Sequence, residues 1–63
     1  MTVENIISVV CAYDKIRIES ERELVFVGFN SDFRATVENA SSYLDREVKR
    51  VRVVNSMLLI EIV

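Results

Sequence analysis

A chain of 63 residues with ten acidic and eight basic side chains, a net charge of −2, one cysteine and no histidine excludes several classes at once. One cysteine allows no internal disulfide, and the absence of histidine weakens any zinc reading. The interspersed, slightly acidic charge gives no global case for nucleic-acid binding. Half the residues are apolar, 51%, and 29% are charged, well away from disordered composition. The chain therefore reads as one small folded domain over residues 1–63. A domain of this size buries only about 60% of its unfolded surface, so oligomerisation or unusually good packing is expected to supply the missing stability. The opening residues carry no cationic leader, and no apolar run is long enough to span a membrane. The lone cysteine fits a reducing compartment, and a cytoplasmic location is expected.

Val3, Ile6, Ile7 and Val10 share one helical face, with Thr2 placed as an N-cap and Glu4 in the first turn. This pattern predicts a helix from about Val3 to Ala12. The β-branched content of the same stretch leaves a long first strand as the alternative. From Tyr13 the period changes to two: Lys15, Arg17 and Glu19 alternate with Ile16 and Ile18, the mark of a half-buried strand. Ser20 to Glu23 is a break of hairpin length before an apolar strand, Leu24 to Phe29. Gly28, the only glycine, suggests a bulge or a close backbone approach.

Asn30-Ser31-Asp32 reads as a turn able to cap a helix. Phe33, Val37, Ala40 and Leu44 then form a helical stripe, predicting a second helix from about Asp32 to Leu44. Val48 to Val54 alternates again, Asn55-Ser56 has the spacing of a tight hairpin, and a last strand runs from Met57 to Val63. The expected architecture is α+β, an αββαββ domain whose four-stranded antiparallel sheet carries one or two helices on one face. Ile16, Ile18, Val51, Val53, Leu58, Ile60 and Ile62 are assigned to the helix side. Lys15, Arg17, Glu19, Arg50, Arg52, Met57, Leu59, Glu61 and Val63 are assigned to the other.

The opening Thr2-Val3-x-x-Ile6-Ile7 and the segment Tyr43-Leu44-Asp45-Arg46-Glu47-Val48 before paired strands make the layout resemble small accessory proteins of bacteriophages and mobile elements. The resemblance spans most of the chain and transfers no site residues. It implies a host protein as a partner, including a component of bacterial defence.

Catalysis finds no support in the residue types. Without histidine a general base must come from a carboxylate, lysine, tyrosine or cysteine, and the acids around the first hairpin are interleaved with Lys15, Arg17 and Arg22 as on a solvated surface. Cys11, near an expected helix C-terminus, reads as a buried structural thiol. No cofactor or metal is expected. Arg50 and Arg52 share a strand face about 6 to 7 Å apart, with Arg17 on the same side, a spacing able to clamp an anion. Nucleic-acid binding would need exposed aromatics beside that strip; Tyr13 and Tyr43 are available, while Phe26 and Phe33 read as core. The final strand reads as a sheet edge open to another chain.

The leading expectation is a non-enzymatic protein that associates with itself or with a host protein. Val25, Val27, Phe29, Leu59 and Val63 would supply apolar contact, with Arg17, Arg50 and Arg52 as a charged rim. Alternatives are a binder of an anionic small ligand or nucleotide between subunits, and a nucleic-acid accessory protein.

Overall fold

A computed structural model describes residues 1–63. Four strands, β1 (Lys15–Glu19), β2 (Leu24–Phe29), β3 (Val48–Val54) and β4 (Met57–Ile62), form one sheet in the order β2-β1-β4-β3. Three short helices, α1 (Val3–Ile7), α2 (Phe33–Thr36) and α3 (Ala40–Leu44), complete an α+β domain, with a 3-10 turn over Asn30–Asp32 leading into α2. The two hairpins are antiparallel as expected, but β1 and β4 meet in parallel, Ile16 opposite Leu58 and Ile18 opposite Ile60. The sheet is therefore mixed. Periodicity reports which face a residue takes and is silent on which strands are neighbours. The same order corrects the edge assignment: β4 is interior, and β2 and β3 are the edges.

The core follows the central pair. Ile16, Ile18, Ile60 and Ile62 are buried, and Val3, Ile6, Ile7, Phe33 and Ala40 from the helices close over them together with Phe26. The Phe26 and Phe33 rings meet edge to face, centroids 5.5 Å apart, the favoured geometry for aromatic pairs. Gly28 is explained by the first of these rings: a Cβ built there would lie 3.0 Å from the Phe26 Cζ. Gly28 and Phe26 sit two residues apart on one face of β2, so the glycine leaves room for the ring to lie along the strand.

Both helical predictions shorten. The Thr2 cap is present, with Asn5 donating its backbone N–H to Thr2 Oγ1 and Thr2 donating its own to Asn5 Oδ1, a reciprocal capping box. Yet α1 ends at Ile7, and residues 8–14 form turns. The second helix is split: Val37 is extended and Asn39 takes a left-handed conformation, φ 60°, which asparagine tolerates better than most residues. The apolar stripe survives the break because Phe33 and Ala40 are buried and Val37 and Leu44 pack partly against the same core. The hairpin at Asn55-Ser56 is confirmed with both residues at positive φ, 52° and 61°, the requirement of a type I′ turn.

Asn30 joins these parts. It is the one buried polar residue, and its side-chain N–H groups donate to the carbonyls of Ile7 and Val10, each at 3.0 Å. The Ile7 carbonyl, left open where α1 stops, and the Val10 carbonyl in the turn that follows are thereby tied to the end of β2. Cys11 lies in the adjoining turn and is exposed, which corrects the expectation of a buried thiol: with α1 five residues long, position 11 falls outside the helix and its packed face.

Replacing Asn30 by alanine removes both donors, one from a buried acceptor and one from a partly buried acceptor. The expected outcome in chemical denaturation is a loss of about 1–3 kcal/mol with an unchanged denaturant slope, whereas Asn5→Ala, at the exposed cap, stays within about 1 kcal/mol.

Candidate interaction face

Because all three helices pack on one side of the sheet, the other side is uncovered. The register sets its rows. Val27, Arg17, Leu59 and Arg52 run across it as one row, and Glu19, Glu61 and Arg50 form part of the next. Phe29 stands opposite Lys15, whose ammonium lies 5.8 Å from the ring centroid, close enough for a cation–π contact.

Arg17, Arg50 and Arg52 do share this face, but each already has a carboxylate. Arg17 Nε donates to Glu19 Oε2 at 3.0 Å. Arg50 donates to both oxygens of Glu61, at 2.6 and 3.2 Å, and Arg52 Nε lies 3.5 Å from Glu61 Oε2. Sequence reasoning placed Glu61 on the face without seeing it as the occupant of the arginine clamp; cross-strand pairing of Arg50 with Glu61 is what brings it there. The hydrogen bond from Arg50 holds the Glu61 carboxyl below its ordinary value. Partial burial pulls it upward, and the charges of Arg50, Arg52 and Lys49 reinforce the lowering. Arg50 is shifted upward by the same bond to Glu61.

The apolar candidates divide. Val27 and Phe29 are 46% and 42% exposed and belong to the open face. Leu59 is on that face by register yet only 5% exposed. It stands between Arg17 and Arg52, whose aliphatic stems can cover an apolar neighbour while their charged heads stay in water. It therefore offers no free contact area. Val25 is half-buried and packs against the helix-side core, near the register shift opposite Ile18 and Glu19. A bulge displaces strict alternation, which is why simple parity misplaced this residue. Val63 follows β4, is exposed, and its carbonyl accepts from Arg46. Val51 and Val53 take the helix side through their pairing with Ile60 and Leu58 but are exposed, Val53 by 74%, because the helices do not reach across edge strand β3.

Two further features escaped the sequence reading. Arg22, Arg46 and Lys49 line a cavity of 390 Å³ at one end of the sheet; Lys49 is held by Glu21 at 2.7 Å, which lowers the Glu21 carboxyl. A groove of 580 Å³ runs between β2 and the segment joining α2 to α3. Both bring together residues distant in sequence. No helix is long and apolar enough to cross a membrane.

The Glu61 shift has a defined pH signature. A carboxyl whose folded value lies below its unfolded one contributes stability above the unfolded value, about 4.3, and loses that contribution as pH falls through the folded value. Between neutral pH and about pH 3, wild type is therefore expected to lose more stability than Glu61→Gln, measured as denaturation midpoints across the range. Equal losses would mean that the Arg50–Glu61 pair does not form.

Comparison with protein-family models, curated proteins and solved structures finds no match to this chain.

Proposed function

We propose that the chain is a small non-enzymatic interaction protein of the cytoplasm that associates with a second copy through its open sheet face, and that a host protein is the partner of the resulting assembly. The observation that carries this reading is the uncovered sheet face, where exposed Val27 and Phe29 adjoin ion-paired arginines. Apolar residues surrounded by charged groups whose charges are already matched are the composition of an interface with a polar rim. A face uncovered on a chain this small also supplies the area that a single core of 63 residues lacks. The host protein as partner rests on the bacteriophage-like layout.

The binder of anionic small ligands is kept as a second reading, relocated by one observation. Arg50 and Arg52 are neutralised by Glu61, whereas at the cavity of the sheet end Lys49 is paired with Glu21 but Arg22 and Arg46 form no ion pair with a carboxylate. Two guanidinium groups lining one cavity suit a phosphate or carboxylate.

Light scattering on a size-exclusion column is expected to give a dimer or larger species, and Phe29→Glu to weaken that association by about tenfold or more while leaving the circular dichroism spectrum unchanged. A wild-type monomer at millimolar concentration would remove self-association from the reading. For the second reading, nucleoside triphosphates are expected to raise the melting temperature of wild type and not of Arg22→Ala; an equal rise in both would discard the cavity as the anion site.

A further inference from the structure

The two sheet edges are built differently. Edge strand β3 carries Lys49, Arg50 and Arg52, and the N–H of its first residue, Val48, donates to the Met1 carbonyl at 2.8 Å. Charge and partial cover are the usual means of blunting an edge. Strand β2, Leu-Val-Phe-Val-Gly-Phe, has no charged residue and no proline. Its outer backbone is also free. Asn30 N–H donates to the Asp14 carbonyl, which makes that pair a hydrogen-bonded one. Alternation along the antiparallel ladder then turns Gly28 and Phe26 toward β1 and leaves the N–H and C=O of Val27 facing outward. None of the turn, loop and cap backbone hydrogen bonds involves residues 24–29, so no other segment of the chain takes those groups.

Beside this edge lies the 580 Å³ groove. Its floor is the β2 strand, and its far wall is Thr36, Val37, Glu38 and Tyr43. The wall exists because the second helix is broken at Val37–Asn39, where the left-handed Asn39 turns the chain. An open strand edge with a helical wall alongside can accept an added strand, backbone bonds supplying affinity and alternate side chains entering the groove. The charge of the groove selects the occupant. Its only ionisable groups besides Tyr43 are Glu23 and Glu38, both exposed, and no lysine or arginine lines it. Tyr43 O–H donates to Glu23 at 3.2 Å, fixing that carboxylate at the rim.

We infer that β2 and the adjoining groove bind an extended segment of another protein, apolar or β-branched at alternate positions and flanked by lysine or arginine, as an added strand. The site meets the open sheet face at Val27 but is built on the strand edge and the Thr36–Glu38 wall, and it does not depend on self-association through that face.

The probe is a short synthetic peptide alternating valine with threonine between terminal lysines, with a counterpart ending in glutamates. Titration of the isotope-labelled full chain followed by amide NMR is expected to move the signals of residues 24–29 and 36–38, with the lysine peptide bound at least about tenfold more tightly than the glutamate one. Glu38→Lys, an exposed change that leaves the core untouched, is expected to narrow or reverse that preference while the spectrum stays folded. Three results would overturn the inference: no binding of the lysine peptide, equal binding of both peptides, or shifts confined to the open-face residues Arg17, Arg50 and Arg52. Concentration-dependent broadening of the groove-wall residues 36–38 without peptide would overturn it too, by assigning the groove to a second copy; broadening of Val27 and Phe29 alone belongs to the open face. Because self-association through the open face is read by light scattering, either proposal can fail while the other stands.

Discussion

The parallel contact between β1 and β4 is the constraint on which the rest of this fold depends. Each hairpin is a local structure, but a two-stranded hairpin alone is marginal in water. Joining the two through their inner strands buries Ile16, Ile18, Ile60 and Ile62 together. Two strands running the same way cannot be joined by a tight turn. The chain between them must travel back along the sheet, and the segment that does so contains β2, α2, α3 and β3. Helices α2 and α3 are thereby delivered to one face, where Phe33 and Ala40 complete the core. The other face stays bare for the same reason: the return path is used once.

A small chain without disulfides must make its few buried groups count. Branched aliphatic side chains fill the central strands, and the edge-to-face Phe26–Phe33 pair ties edge strand β2 to α2. Asn30 performs the polar equivalent, fastening the short α1 to the exit of β2 through two carbonyls. On the bare face the charges are matched inside the chain, Glu61 by Arg50 and Arg52 and Glu19 by Arg17. Exposed ion pairs of this kind add little stability individually. Their consequence is for recognition, since arginines engaged by intramolecular carboxylates are poor hosts for a free anion and suitable neighbours for an apolar contact.

Strand positions were legible because alternation is a strong local signal. Leu24 to Phe29 and Val48 to Val54 have the bounds their alternation predicts, and the period-two pattern that begins at Tyr13 contains the first strand, Lys15 to Glu19. Helix lengths were not. The stripe Phe33, Val37, Ala40 and Leu44 is equally well served by one helix or by two short ones bent toward a common core, and nothing in the spacing separates these cases. The misplacement of Cys11 follows from the same ambiguity, since a helix ending at Ile7 moves position 11 into a turn. Leu59 was assigned to the correct face with the wrong exposure: parity tells which way a side chain points, while cover depends on the arginines of two neighbouring strands. The cavity at Arg22, Arg46 and Lys49 and the groove at β2 had no sequence signal, because each unites separate segments.

From its residues alone this chain determined its α+β class, its strands, its cap at Thr2 and its turn at Asn55-Ser56, all of which rest on steric and periodic preferences acting over a few neighbours. Tertiary structure decided the parallel joining of β1 to β4, which strands became edges, how Glu61 came to occupy the arginines and where the grooves opened. Those outcomes turn on which distant surfaces exclude water best together, a comparison made over the whole molecule.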